Sequence, residues 1–209
     1  MTKENEVKKY LNFYSSKFGR AVLEKELEFV ESKLKEYKNV LSIGCGPAFL
    51  ETRLHQLHPE MNITGLDNSK EMIVQASKAI HLEYGDAQHL RFDDNSFDAV
   101  LYVASLEFIK DYKKAIEEAQ RVLKSKGRIL ILMLNPKSSY FREEYKDRNS
   151  YIRKNIRHRN IMEIKEVISR YFFIESEEYF LGIKEGGIFD SDNPKLASLY
   201  VLEGVKDGK

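Results

Sequence analysis

The sequence predicts an α/β fold built on a doubly wound, mostly parallel sheet, and three observations carry that prediction. From residue 39 to residue 134, apolar strand-like runs alternate with segments of helical periodicity. Val100-Leu101-Tyr102-Val103 and Ile129-Leu130-Ile131-Leu132 are continuously apolar, as strands covered on both faces require. The first strand runs directly into Gly44-Cys45-Gly46-Pro47-Ala48, and the next ends in an acid, Asp67, 23 residues after Gly44.

The elements follow in order. Residues 5–37 read as helix with a break near Gly19, because Val22, Leu23, Leu27, Val30 and Leu34 recur at helical spacing. Strands are expected at 39–43, 61–66, 79–84, 97–103 and 128–134, and helices at 47–57, 69–78 and about 111–124. Asn135-Pro136 ends the last of these strands. An insert with little apolar periodicity runs to about residue 160, followed by a helix at about 161–171. Two further strands, 172–183 and 196–202, flank a loop at 186–194 rich in Gly, Asp, Asn and Pro.

Composition bounds the function. At 209 residues, 42% apolar and 32% charged, the chain fits one domain with an ample core. A net charge of +1 argues against a generally polyanionic partner such as nucleic acid. One cysteine cannot close an internal disulfide, which suits a reducing, cytoplasmic setting. The opening residues, Met1-Thr2-Lys3-Glu4-Asn5-Glu6, are polar with no apolar signal core behind them, and no run approaches the roughly 20 apolar residues that span a bilayer. One cysteine and scattered histidines offer no zinc spacing, so no metal is expected.

The glycine turn and the acid after the second strand suit a nucleotide-like ligand lying across the carboxyl ends of the strands. The glycines let the backbone turn sharply and approach the ligand, and Asp67 can accept both ribose hydroxyls. A dinucleotide needs a small residue at the sixth position of G-x-G-x-x-G, where this chain has Phe49, whose bulk would crowd a pyrophosphate. A dehydrogenase is therefore disfavoured. The small residue falls one place earlier, at Ala48.

Gly44-Cys45-Gly46-Pro47-Ala48 resembles the G-x-G-x-G turn of class I S-adenosylmethionine-dependent methyltransferases, with Ala in place of the last Gly. The resemblance continues through Gly85-Asp86-Ala87 and through Leu90-Arg91-Phe92-Asp93-Asp94-Asn95-Ser96-Phe97-Asp98-Ala99-Val100, similar to the family's lead into its fourth strand. Glu118-Ala119-Gln120-Arg121-Val122-Leu123-Lys124-Ser125-Lys126-Gly127 resembles the E-x-x-R-V-L-K-P-G-G before the fifth. It covers about residues 38–135, roughly half the chain, and departs from the pattern at Ser42, where the family usually places Asp or Glu.

The resemblance implies a Rossmann-like, seven-stranded sheet whose last strand is antiparallel. It divides a single methyltransferase domain, 1–209, into an amino-terminal helical lid (1–37), a cofactor-binding core (38–135), an insert or cover (136–170) and a carboxy-terminal strand pair (171–209). For the cofactor, S-adenosylmethionine, it implies backbone contacts from Gly44, Cys45 and Gly46, ribose binding by Asp67 with Asn68 beside it, an adenine edge at Asp86 and Ala87, and Val103 near the methionine moiety. The competing role for Asp67 is a helix cap, since Asn68-Ser69 opens the next helix; for Asp86 it is a plain loop acid. Tyr14, Phe18 and Arg20 are lid candidates, with simple helix packing as the alternative.

Methyl transfer asks little of the protein, because positioning the acceptor in line supplies most of the acceleration. A catalytic residue need not be legible, and none is assigned. His89, three residues beyond Asp86, is the best placed of the five histidines to act as a base, against an ordinary surface role; His55 and His58 should face solvent. Glu107, just past the fourth strand, is a candidate acceptor contact, with helix capping as the alternative.

The first functional expectation is methyl transfer to a small-molecule acceptor by direct displacement, with no membrane partner and the oligomeric state open. The second is an RNA or protein methyltransferase docking through the insert 137–159, which holds eight Lys/Arg against three acids among several aromatics. The third is a catalytically inactive S-adenosylmethionine-binding regulator, to which Ser42 and Ala48 would point. Val103-Ala104-Ser105-Leu106 lacks the N/D-P-P-Y/F tetrad of amino-directed base methylation, and a carbon-directed cytosine route lacks its cysteine, since Cys45 lies in the cofactor turn.

Overall fold

The computed structural model describes residues 3–207; Met1 and Thr2 of the polar amino-terminal stretch, with Gly208 and Lys209, lie outside the described residues. Asn39–Ile43 (β1), Asn62–Asp67 (β2), His81–Tyr84 (β3), Phe97–Val103 (β4) and Leu123–Leu134 (β5) are parallel. Ala197–Lys206 (β8) pairs antiparallel with β5 and with Phe172–Lys184 (β6), and Gly187–Phe189 (β7) closes the edge. The strand order is β3-β2-β1-β4-β5-β8-β6-β7. The order reverses between β1 and β4, and a crevice at the carboxyl ends of strands there is where such sheets bind ligands.

Strand pleating divides the core into two faces. Val100, Tyr102, Ile129, Ile131 and Met133 point to one face, where they meet Ala115, Ile116 and Ala119 of Tyr112–Val122 (α5) and Ile164 and Ile168 of Ile161–Ile168 (α8). Ala99, Leu101, Leu130 and Leu132 point to the other, against Val22, Leu27, Val30 and Leu34 of Lys17–Leu34 (α2) and Leu50 and Leu54 of Phe49–Leu57 (α3). Neighbouring residues in one apolar run thus serve opposite layers. Tyr102 is fully buried, and its hydroxyl donates to the Ala115 carbonyl at 3.2 Å.

The fold class stands as expected, with a short eighth strand added. A two-residue turn at Glu185 and Gly186, both with positive φ (51° and 72°), folds β7 back onto β6 inside what reads as a loop. Other boundaries move. The amino-terminal helix breaks at Ser16, between Lys3–Ser15 (α1) and α2, because the Ser16 hydroxyl takes the Gly19 N–H at 2.9 Å. Lys70–Ile73 (α4) is a single turn in place of a helix over 69–78: Met72 is buried, but Val74 is 78% exposed, so no apolar stripe continues it. β5 begins at Leu123, earlier than expected, with a register irregularity between Phe97 and Ala99 of its partner. The insert contains Ser139–Lys146 (α6) and Tyr151–Asn155 (α7), anchored by buried Phe141 and Ile152.

Two stretches that read as separate motifs form one physical unit. Arg121 donates to Glu118, to Asp94 at 2.7 Å, and to the carbonyls of Phe92 (2.8 Å) and Leu90 (3.0 Å), while Glu118 accepts from the Leu90 N–H at 2.8 Å. The guanidinium fork thereby fixes the loop that leads into β4. The hydrogen bond from Arg121, with its charge, holds the Glu118 carboxyl below the usual carboxylate range despite partial burial. An acid whose folded pKa is depressed stabilises the fold above its unfolded pKa and loses that contribution as pH falls through the folded value. We predict that Arg121→Ala lowers unfolding stability by about 2–3 kcal/mol at neutral pH. The gap between variant and wild type should narrow below about pH 4. Chemical denaturation at two pH values checks both statements.

Candidate functional site

The Gly44–Ala48 turn leaves the end of β1 in a backbone path that L side chains resist, with φ of 77° at Gly44, 55° at Gly46 and 55° at Ala48. At Gly44 the demand is also steric: a Cβ there would lie 2.5 Å from the Cβ of Ser105, whose buried hydroxyl donates to the Ile43 carbonyl at 2.7 Å. The corner after β4 is therefore locked against the turn after β1. Cys45 is buried over Gly65, and burial drives its thiol strongly upward, so it stays protonated as a small turn residue.

Asp67, at the end of β2, ties the turn down. One carboxylate oxygen accepts the Gly46 N–H and the other the Ser69 N–H, each at 2.8 Å. Burial raises the Asp67 pKa, while the N–H groups of Ser69, Gly46 and Asn68 oppose that rise. The capping role and the turn-holding role thus belong to one side chain. Two carboxylate oxygens offer about four lone-pair sites, more than these N–H groups use, so acceptor capacity remains for a ribose hydroxyl. This donor and acceptor set fits the nucleoside half of S-adenosylmethionine.

Further along the same strand ends, a concavity of about 430 Å³ is lined by Asn68, Tyr84, Gly85, Asp86, His89 and Arg91. Asp86 is exposed and already accepts from the Gln88 backbone at 2.9 Å and from the Gln88 amide at 2.8 Å. Ala87 is buried beneath it. The His89 side chain is 79% exposed and 4.0 Å from Asp86. Val103 is half-buried in the second core face.

α1 closes the site from above. Tyr10 and Tyr14 have ring centroids 5.0 Å apart, and Tyr14 lies 5.6 Å from Phe49 at the start of α3. A Cβ on Gly46 would sit 3.6 Å from the Tyr10 hydroxyl, so that phenol rests on the glycine turn. Of the predicted lid residues, Tyr14 faces this cluster, Phe18 packs edge-on against Phe13 at 5.8 Å, and Arg20 points to the exposed Ser15 carbonyl and away from the turn.

Glu107 is 2% exposed; one carboxylate oxygen accepts from the Leu134 N–H at 2.8 Å and the other is buried with no partner among the described residues. Burial pushes its pKa up to about 7. Its backbone carbonyl takes the N–H groups of Arg157 and His158, joining the β4 corner to the chain after α7. His55 contacts the Met61 carbonyl at 3.2 Å and His58 contacts Glu31 at 3.0 Å, both remote from the turn. Among the described residues no group of three His, Cys, Asp or Glu side chains is arranged to hold a metal ion, and no helix is long and apolar enough to cross a membrane.

Three residues of the site escape the sequence patterns. Tyr10 is hidden in an aromatic helix among equivalent rings. Glu26 on α2 and Glu51 on α3 are buried acids, 6% and 4% exposed, and Glu51 accepts from the Ser42 hydroxyl at 2.6 Å. The available signal was an acid inside an apolar stripe: Glu26 follows Val22 by four residues and adjoins Leu27.

Comparison with known proteins agrees with this geometry. Residues 41–131 match the family described as "Methyltransferase domain". A demethylmenaquinone methyltransferase of Thermotoga maritima is 35% identical over 124 residues, covering 58% of this chain and 52% of the relative. Its counterpart in Staphylococcus haemolyticus is 36% identical over 123 residues, covering 54% and 51%. The chain thus spans about half the length of the curated relatives it matches. A solved structure from Thermotoga maritima, titled a SAM-dependent methyltransferase, "possible histamine N-methyltransferase", shares the fold at 24% identity with a TM-score of 0.79, covering 98% of this chain and 97% of the other. With the glycine turn, the acid after β2 and the strand order all in place, residues 41–131 carry a methyltransferase domain of the class I, S-adenosylmethionine-dependent type.

Proposed function

We propose that this protein transfers a methyl group from S-adenosylmethionine to a small-molecule acceptor by direct in-line displacement. The observation that carries the reading is the Asp67 carboxylate, anchored to the Gly46 and Ser69 amides with lone pairs to spare beside the strand-order reversal. S-adenosylmethionine supplies an electrophilic methyl on a good leaving group. The protein then has to bind, orient and exclude water. The turn amides and Asp67 hold the nucleoside, Asp86 and Ala87 face its base, and Tyr10 and Tyr14 close the carboxyl ends of the strands. Phe108 and Tyr151, with ring centroids 5.5 Å apart, continue an aromatic wall on the open side that suits a planar or apolar acceptor. The names of the curated relatives, which act on demethylmenaquinone, support a small acceptor of that kind. No general base is assigned: His89 is exposed, and Glu107 is fixed to the Leu134 amide.

Asp67→Ala should weaken S-adenosylmethionine affinity by about 10- to 100-fold, the scale of one lost hydrogen bond to a charged group. Asp67→Asn, which can still accept from one amide, should fall between the variant and wild type. Titration calorimetry measures both, and an unchanged affinity in Asp67→Ala would exclude this site.

A second reading, docking of RNA or protein, has one favourable observation. None of the eight Lys/Arg of 137–159 makes an ion pair among the described residues, and Arg153 and Arg159 both stack on the Tyr145 ring, at 4.2 and 4.6 Å. The whole-chain charge of +1 weighs against a large phosphate footprint. On the small-molecule reading, Arg153→Glu with Lys154→Glu leaves S-adenosylmethionine affinity within about twofold and RNA retention negligible before and after at physiological salt. A gel-shift titration that shows salt-dependent RNA binding lost in the double variant would favour the second reading.

A further inference from the structure

Two carboxylates under the amino-terminal cover lie in the protein without a cation. Glu26 and Glu51 are 6% and 4% exposed. The Ser42 hydroxyl satisfies one oxygen of Glu51. Glu26 accepts no side-chain hydrogen bond, and neither acid forms an ion pair, among the described residues. Burial raises the cost of ionising both acids, and the neighbouring carboxylates, Glu51 for Glu26 and Asp67 for Glu51, add to it.

Their neighbours bring no positive charge. The titratable groups facing the pair are the phenols of Tyr10 and Tyr14 on α1 and Tyr140 on α6, with the Cys45 thiol and the Asp67 carboxyl at the turn. Burial pushes all three phenols and the thiol upward, so they remain neutral. Glu51 is bonded to Ser42, two residues before Gly44, so the acid pair adjoins the glycine turn, and Tyr10, whose hydroxyl rests on Gly46, feels Glu26, Glu51 and Asp67 together. A site with open acceptor oxygens and no cation of its own is complementary to a cation that arrives with the ligand and carries N–H donors.

With S-adenosylmethionine as the cofactor proposed above, we infer that Glu26 and Glu51 form the receptor for its methionyl α-ammonium group. The sulfonium carries positive charge but no hydrogen to donate, whereas a primary ammonium carries three. Glu26 offers its carboxylate oxygens, and Glu51, which already holds the Ser42 hydroxyl and its own backbone N–H, adds a second negative charge beside them. Ser42 stands at the strand end where the resembling sequences carry an acid, and its hydroxyl draws Glu51 of α3 to that spot. The negative charge is thereby supplied from two helices and not from β1.

Burial holds Glu26 up at about 8 and Glu51 at about 7, so near neutral pH the empty pair retains protons that an incoming ammonium must displace. Binding should therefore release protons. The test is calorimetric titration with S-adenosylhomocysteine and with methylthioadenosine, which keeps the nucleoside and thioether but lacks the amino-acid tail. Wild type, Glu51→Gln and Glu26→Gln are compared near neutral pH in buffers of different ionisation enthalpy. Gln copies the neutral acid in shape, and thermal unfolding verifies that each variant folds. Wild type should bind S-adenosylhomocysteine more tightly than methylthioadenosine and release protons with the former only. Each variant should weaken S-adenosylhomocysteine about tenfold, leave methylthioadenosine unchanged and reduce the proton release. Equal binding of the two ligands by wild type, or equal weakening of both by the variants, overturns the receptor and leaves the cofactor assignment standing. Failure of wild type to bind either ligand overturns both.

Discussion

A single carboxylate holds the functional end of this molecule together. Asp67 bridges the amide of Gly46, from the turn after β1, and the amide of Ser69, at the start of α4. It fixes the ends of the adjacent strands β1 and β2 relative to one another on one side of the crevice. The turn has little conformational latitude of its own, because Ser105 fills the space beside Gly44 and Ala48 is held in the left-handed region at a non-glycine residue. The β1 turn, the β2 end and the β4 corner consequently behave as one rigid floor, preorganised for a ligand that uses Asp67's remaining lone pairs.

Above that floor the chemistry is unusually acidic for a buried region. Glu26, Glu51 and Asp67 act together on Tyr10, and the rings of Tyr10, Tyr14 and Phe49 seal the layer. Such an arrangement is costly in an empty protein and favourable around a cationic ligand. The opposite end of the sheet shows the contrasting solution. There the buried Glu203 is met by Lys33, by Arg128 at 2.8 Å and by Ser176 at 2.8 Å. Burial alone would raise its pKa, and those partners hold it below the usual range instead. One acid cluster is internally neutralised and the other is not, and the one left without a cation adjoins the glycine turn.

The doubly wound, mostly parallel sheet and its two covered faces were legible because Val100–Val103 and Ile129–Leu132, whose side chains alternate between the two core layers, leave a continuous apolar signature. The glycine turn and Asp67 were legible because few backbone paths and one acid position suit that corner. Less visible features depend on contacts distant in sequence. Nothing local marks Arg121 as the clamp on residues 90–94, and the Glu185-Gly186 turn is embedded in a stretch of generally polar loop residues. The truncation of α4 follows from what Val74 fails to touch. Glu26 and Glu51 read as ordinary helical acids until α1 is seen to cover them. The acceptor side is the least legible, since aromatic walls are written in the same residues that build cores.

Hydrogen exchange of backbone amides, compared between the ligand-free and the S-adenosylmethionine-saturated protein, tests the central claim most directly. If Asp67 and the glycine turn form the cofactor floor under α1, exchange should slow together at residues 44–48, 67–69 and 3–15. Protection absent from those segments, or confined to the basic insert, would contradict the site described.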